Sequence, residues 1–243
     1  MLLHIVNPNT TSSMTQKIAT AARALTSGDI EILATQPESG PASIEGYYDE
    51  AFAVPGMLQR IAEAEALGAS GHIIACFDDT GLDAARCLAR APVVGIGEAA
   101  FHIASLIAGR FTVVTTLGRS IPVIEHNLVR YGLASRCAGV RAAEVPVLEL
   151  EKPGSTARAR ISQEIERAKA EQACEAIVLG CAGMADLAAY LTAKHGLPVI
   201  DGVAAAVALL QGVVRLGLTT SKIGGYAAPR PKAFTGMFAH LSG

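Results

Sequence analysis

A strand–cysteine–helix unit occurs twice in this chain, and the repetition limits the folds open to it. His72-Ile73-Ile74-Ala75 runs into Cys76, then through Phe77-Asp78-Asp79-Thr80-Gly81 to a helical stretch from Leu82. Ala176-Ile177-Val178 runs through Leu179-Gly180 into Cys181, then Ala182-Gly183-Met184-Ala185 and a helical stretch from Asp186. Short continuous apolar runs of this kind form parallel strands buried on both faces. The register holds beyond the cysteines. Leu82 aligns with Leu187, Pro92-Val93-Val94 aligns with Pro198-Val199-Ile200, and alanine-rich runs follow each. The sequence reads as two copies of one α/β unit, each with a cysteine at the carboxyl end of a strand.

The remaining pattern fits that reading. Strands are expected at 2–6, 31–34 and 93–96 around the Cys76 strand, and at 111–114, 140–143 and 199–200 around the Cys181 strand. Helical periodicity covers 14–25, 49–67 with a bend at Pro55-Gly56, 82–89, 98–108, 121–131, 155–172 and 202–216. An irregular tail containing Pro229 and Pro231 follows. Strands alternating with helices give an α/β fold of two pseudo-symmetric, Rossmann-like lobes, each a parallel sheet of about four strands flanked by helices. Such sheets bind ligands beyond the carboxyl ends of their strands. Those ends carry residues 7–10, 76–79, 115–118 and 181–183, which would line one cleft between the lobes.

Composition removes several classes of function. A chain of 243 residues that is 51% hydrophobic and 17% charged can bury a substantial core. With 20 basic and 22 acidic residues, a net charge of −2 and no basic stripe, it is a poor partner for nucleic acid. The first residues lack a signal peptide's basic and apolar regions, and the apolar run near the C-terminus is interrupted by Gln211 and Arg215. Five cysteines in such a chain imply reduced thiols, and a cytoplasmic location is expected.

The cysteine pair carries the chemistry. A thiol ordinarily titrates near 8.5, and only its thiolate acts as base or nucleophile. A cysteine at a helix N-terminus would meet unpaired N–H groups and the positive dipole end, which favour the thiolate. The N–H groups of Phe77-Asp78 and Ala182-Gly183 would also suit a substrate oxyanion. One strand-end cysteine is commonly just a small buried residue; a symmetric pair is much less so. Facing each other across a pseudo-twofold axis, one thiolate would take a proton from a carbon while the other thiol returns one to the opposite face.

A set of motifs gives this pattern a family. Asn7-Pro8-Asn9-Thr10, Pro41-Ala42-Ser43-Ile44-Glu45-Gly46, Ala75-Cys76-Phe77-Asp78-Asp79-Thr80-Gly81, Arg119-Ser120-Ile121-Pro122, Leu179-Gly180-Cys181-Ala182-Gly183-Met184 and Ile200-Asp201-Gly202-Val203 resemble the hydantoin racemases, a branch of the aspartate/glutamate racemase superfamily. The resemblance covers nearly the whole chain. It implies a cofactor-independent two-base isomerase, free of pyridoxal phosphate and metal, acting on a small molecule and assembled as a homo-oligomer. It also implies that the chain returns to its first lobe, giving lobes of 1–97 plus 203–243 (with Cys76) and 98–202 (with Cys181). By motif position Cys76 and Cys181 would be the bases, and Asn9, Ser43, Ile44, Phe77, Asp78, Thr115, Thr116, Ala182 and Gly183 would contact substrate. Amino-acid racemases of the superfamily carry Asn-Thr after the first cysteine and Thr-His after the second. Phe77-Asp78 and Ala182-Gly183 lack those anchors for ammonium and carboxylate and suit a neutral ring. The expected reaction is racemisation of 5-monosubstituted hydantoins at C5. The alternatives are allantoin racemisation and, from another class, non-enzymatic binding of a small molecule. Arylmalonate decarboxylases keep only one of the two cysteines, so the pair argues against that activity.

Other motifs in the chain carry weaker signals. Gly95-Ile96-Gly97-Glu98-Ala99-Ala100 imitates a dinucleotide fingerprint, but it is not at the first strand-to-helix turn and has no acidic residue downstream at the ribose position. Cys87 in a helix, Cys137 in a polar loop and Cys174 before a strand have no zinc-ligand spacing. Asp78 and Asp79 fit helix capping, although a carboxylate beside Cys76 would oppose its thiolate. Glu45 and Asp201 are either supports of the site or loop anchors, and Lys222 reads as solvated surface.

Overall fold

Among the described residues, eight strands form two four-stranded parallel sheets with the same strand order. β1 (Leu2–Val6), β2 (Glu31–Thr35), β3 (Gly71–Ile74) and β4 (Val93–Gly95) are arranged β2-β1-β3-β4. β5 (Phe111–Thr115), β6 (Cys137–Ala142), β7 (Ala176–Gly180) and β8 (Val199–Asp201) are arranged β6-β5-β7-β8. Every pairing is parallel. Both faces of each sheet are therefore covered by helices, which is why β3, β5 and β7 are buried along their whole length. The computed structural model describes residues 1–241, so Ser242 and Gly243, the end of the first lobe's expected span, lie outside the described residues.

Two helices sit between the sheets. α4 (Ile96–Ile107) follows β4, α8 (Gly202–Arg215) follows β8, and the two pack on each other. α8 also lies on β3 and β4, while α4 reaches β7 and β8. Gly71 allows the close approach of α8, because a Cβ there would stand 2.7 Å from a Leu210 methyl. One apolar core runs through this layer, joining Leu3, Ile5 and Ile73 of the first sheet to Phe111, Val113 and Val178 of the second through Phe101, Val203 and Leu210. Phe101 packs edge-on against Phe77 and stacks on Phe111, with ring centroids 5.3 and 6.0 Å apart. On the outer faces, α2 (Tyr47–Ala66) packs Met57 and Ile61 against β1 and β3, and α6 (Ala157–Gln172) packs Ile161 and Ile165 against β5 and β7. No helix among the described residues is long and apolar enough to cross a membrane.

The structure departs from the sequence expectations in four places. α2 is one helix through Pro55, as expected, but starts at Tyr47, ahead of the expected residue 49. Gly56 lets the preceding loop lie against it, since a Cβ there would fall 2.7 Å from Pro37. β6 begins at Cys137, so pairing with β5 draws that cysteine out of the expected loop into the strand. Neither Cys76 nor Cys181 opens an α-helix. After Cys76 the backbone is left-handed at Asp79 (φ 52°) and Gly81 (φ 69°), so α3 (Leu82–Leu88) starts only beyond them. After Cys181 comes a 3₁₀ stretch, Ala182–Leu187, and α7 (Ala188–His195) follows it.

Candidate active site

The carboxyl ends of the two inner strands of each sheet meet at one cleft, about 400 Å³ in volume including its open mouth. β1 delivers Asn7, Pro8 and Asn9; β3 delivers Ala75, Cys76, Phe77 and Asp78; β5 delivers Thr116 and Ser120; β7 delivers Gly180, Cys181 and Ala182. Met14 from α1 (Ser12–Arg23), Ile44 and Val147 complete the wall. The cleft thus brings together both cysteines with Asn9, Ile44, Phe77, Asp78, Thr116 and Ala182.

Three of the expected contact residues stand elsewhere. Ser43 is half-buried in the loop beside Ile44 but does not line the cleft. Thr115 is turned inward, and its hydroxyl donates to the Gly180 carbonyl at 3.0 Å. Gly180 must lack a side chain for this, since a Cβ would stand 2.8 Å from Thr115 Cβ. Gly183 lies behind Cys181 and borders a neighbouring polar depression with Leu150. Asn7 and Pro8 lie in the first of the four loops expected to line the cleft, whereas Met14, Ala75, Ser120 and Val147 are wall residues that sequence reasoning missed. Ala75 and Ser120 lie inside quoted motifs, whereas Met14 and Val147 carry no local signal. Asn7 Nδ2 donates to Asn9 Oδ1 at 2.9 Å and to Thr15 Oγ1 at 3.0 Å, which fixes the Asn-Pro-Asn turn.

Each thiol is half-buried in this wall. The Thr80 hydroxyl donates to Cys76 Sγ at 3.3 Å, and the Asp78 N–H also reaches that sulfur. The Gly183 N–H reaches the sulfur of Cys181. Two of the four N–H groups expected to face an oxyanion therefore point at sulfur. Burial, then the Asp78 carboxylate, push the Cys76 thiol well above its usual range. Burial is also the main cause for Cys181, pushed up to about 12, with Asp78 adding to it and Lys17 opposing it. Both groups are thiols at neutral pH, contrary to the thiolate expected from helix dipoles, because no α-helix starts at either sulfur and burial dominates.

The two adjacent aspartates do different things. Asp78 lines the cleft, and burial followed by Glu50 and Asp79 pushes its carboxyl up to about 8. Asp79 caps a helix, but not the one that follows it. Its carboxyl accepts the N–H groups of Gly97 (3.0 Å) and Glu98 (2.8 Å) at the start of α4 and the Tyr131 hydroxyl (2.7 Å). Burial nevertheless pushes it up to about 7. The donors that a dinucleotide phosphate would need at Gly95-Ile96-Gly97 are thus already taken. Asp201 caps α8 through Val203 and Ala204. Glu45 accepts the Val147 N–H at 2.9 Å, and Lys17 pairs with Glu151 at 2.7 Å, so two first-half residues tie down the 147–151 segment. Lys222 is not merely solvated: its ammonium donates to the Cys87 carbonyl at 3.1 Å and pins the tail to α3.

Known proteins share this architecture over its full length. The family model described as Asp/Glu/Hydantoin racemase matches residues 3–210. A hydantoin racemase of Rhizobium meliloti is 48% identical over 97% of this chain and 98% of its own, and one of Pseudomonas sp. (strain NS671) is 42% identical over 99% and 97%. The solved structure of an allantoin racemase from Klebsiella pneumoniae superposes with a TM-score of 0.97 at 47% identity, covering 100% of this chain and 99% of that one.

Proposed function

Since the chain belongs to the Asp/Glu/hydantoin racemase family and is a racemase, we propose that it interconverts the enantiomers of 5-monosubstituted hydantoins at C5, with Cys76 and Cys181 as opposed acid and base. The observation that carries this reading is that two thiols, one from each sheet, open into the same cleft. One sulfur, as thiolate, takes the C5 proton; the electron pair passes into the adjacent carbonyl as an enolate; the opposite thiol delivers its proton to the other face of C5. One C–H bond breaks and one forms, so the step needs no oxidant, reductant or electron sink. Because both thiols are held protonated, deprotonating one is part of the barrier. The Thr80 hydroxyl and the N–H groups of Asp78 and Gly183 reduce that cost by hydrogen-bonding to sulfur. Among the described residues the wall offers no cation for a substrate carboxylate: its polar groups are amides, hydroxyls, the two thiols and the Asp78 carboxyl among apolar Pro8, Met14, Ile44, Phe77 and Val147. A neutral ureide ring matches that surface.

Allantoin is the second reading, supported by the near-identical backbone of the allantoin racemase above. Its ring is itself a 5-substituted hydantoin, so the same residues would serve. The deciding experiment follows loss of optical rotation and C5 deuterium exchange for a 5-alkylhydantoin and for allantoin in deuterated buffer. Wild type should racemise with deuterium incorporation, and Cys76→Ser and Cys181→Ser should each lose at least about a hundredfold in racemisation rate. Faster turnover of allantoin selects the second reading. A folded, reduced protein inert toward both substrates would sink the two-thiol reading and leave ligand binding.

A further inference from the structure

We propose that Glu45 is a positioning residue: its side chain ties Val147 of the second half to the loop that carries Ile44 of the first, and so builds the apolar seat of the C5 substituent. This rests on the racemase reading above and adds where the substituent lies and what holds its seat together.

The need for the tie arises in the chain after β6. Ala143 and Val145 still donate to the Thr115 and Thr116 carbonyls, at 2.9 and 3.0 Å, which extends the pairing with β5. Pro146 has no N–H to continue it. Val147 then opens the 3₁₀ stretch Val147–Glu151, so its N–H has no partner inside that stretch. Val147 is 4% exposed, so an acceptor has to come from the protein. Glu45 Oε1 is that acceptor, at 2.9 Å and from 102 residues away in the chain.

The first half is the fixed side of the bond. Thr10 N–H donates to the Pro41 carbonyl at 3.0 Å, the Thr11 hydroxyl to the Ala42 carbonyl at 2.7 Å, and Glu45 N–H to Asp49 Oδ2 at 2.9 Å. The loop bearing Ile44 is thereby fastened to the Asn-Pro-Asn-Thr turn and to the first turn of α2. The other end of the 147–151 segment is held separately: Lys17 donates to the Leu150 carbonyl at 3.2 Å and pairs with Glu151 at 2.7 Å. Losing the Glu45 bond therefore loosens Val147 without releasing the whole segment.

The chemistry of the wall says what Val147 is for. Amides, hydroxyls and the Asp78 carboxyl suit the N–H and C=O groups of the ring, so an alkyl or aryl substituent has to meet apolar side chains. Phe77 packs its ring into the core against Phe101, and the Met14 sulfur accepts from Asn9 Nδ2 at 3.6 Å. Ile44 and Val147 are the branched aliphatic groups left in the wall, one from each half.

The test compares Glu45→Ala, which removes the acceptor, with Glu45→Gln, which keeps an oxygen without the charge. For 5-isobutylhydantoin, Glu45→Ala should raise KM at least about fivefold and change kcat less than about twofold, because the seat holds ground and transition states alike. For 5-methylhydantoin, with one carbon to seat, KM should move less than about twofold. Glu45→Gln should rescue the isobutyl KM to within about twofold of wild type. Amide hydrogen exchange read by mass spectrometry tests the tie without substrate: Val147 should exchange at least about tenfold faster in Glu45→Ala and stay protected in Glu45→Gln. An unchanged Val147 amide in Glu45→Ala, equal rises in KM for both substrates, or no rescue by Glu45→Gln would each overturn the proposal. Silence of wild type toward both substrates would sink the racemase reading and the seat with it, while the exchange result still decides the tie.

Discussion

The two halves of this molecule share one strand order and place one sulfur each at the same cleft, yet they cap their inner helices in opposite ways. In the second half the cap is local: Asp201 ends β8 and accepts the first N–H groups of α8. In the first half that strand position is Gly95, and the carboxyl comes instead from Asp79, in the loop after Cys76. The positions compensate one another. A Cβ on Gly95 would stand 2.0 Å from Asp79 Oδ1, so the distant cap requires the glycine. Aligned on the cysteines, Asp79 corresponds to Met184, which is a core residue. The duplication thus kept both the helix cap and the sulfur while moving the capping carboxyl by one loop. Around the sulfurs, Asp78 and Glu50 both oppose the Cys76 thiolate, whereas at Cys181 the Gly183 N–H and Lys17 counter Asp78 and Glu151.

That contrast breaks most visibly at the caps. Asp79→Ala leaves two N–H groups and the Tyr131 hydroxyl without their buried acceptor, and should destabilise the protein by about 3 kcal/mol. Asp201→Ala removes an ordinary N-cap at the equivalent helix and should cost about 1 kcal/mol. Urea midpoints at pH 7 measure both. Equal losses would show that the displaced cap is no more deeply built in than the local one.

The second asymmetry lies inside the sheets. His4 and His72 are neighbours in register with Nδ1 atoms 3.0 Å apart, tied to the Thr35 hydroxyl at 2.7 Å and the Glu65 carboxylate at 2.8 Å. With Glu65 accepting from His72 Nε2, the shared proton sits on His4 Nδ1, and both rings are neutral. The aligned second-half positions hold Thr112 and Ile177. Burial, helped by His72, pushes His4 down to about 3, and burial lowers His72 against the pull of Glu65. Below pH 6.5 the unfolded chain binds protons that these native rings refuse, so their contribution is full above 6.5 and is lost as pH falls toward 3. The raised carboxyls of Asp78 and Asp79 act in the opposite sense, so the wild-type curve alone does not isolate the histidines. Between pH 6.5 and 5, wild type should lose about 2 kcal/mol more than His4→Thr/His72→Ile, which copies the second half. Parallel stability curves for the two proteins would contradict this.

Much of the scaffold and the two thiols are legible in the sequence because they rest on local signals. Apolar runs ending at Cys76 and Cys181 mark the strands, and self-alignment marks the duplication. The cleft wall is only partly legible. Met14 and Val147 arrive from elements distant in sequence, and nothing near them says so. Asp79 was expected to cap a helix, but the helix turned out to be α4, beyond an intervening helix and strand. The signal for it was present as a mismatch between the halves, Gly95 against Asp201, that asks where α4 finds its acceptor. The failed expectation of a low thiol pKa has a similar origin. Left-handed Asp79 and Gly81 delay α3, and no composition rule announces a left-handed aspartate.

The smallest expected effect is also the one closest to the chemistry. Both thiols are raised, but not equally: Cys76 faces Asp78 and Glu50, while Cys181 has Lys17 partly offsetting Asp78. Alkylation runs through the thiolate, so the less perturbed sulfur reacts sooner when access is similar. Limited iodoacetamide treatment at pH 8, followed by peptide mass mapping, should therefore modify Cys181 several times faster than Cys76. Cys87 and Cys137 fall on separate tryptic peptides as internal references, and cleavage after Glu175 separates Cys174 from Cys181. Lys17→Met removes the compensating charge and should narrow the gap from the Cys181 side, whereas Asp78→Asn relieves both sulfurs and should raise both rates. If Cys76 instead reacts first in wild type, the Thr80 hydroxyl and the Asp78 N–H outweigh the carboxyls around it, and the electrostatic contrast between the halves runs the other way.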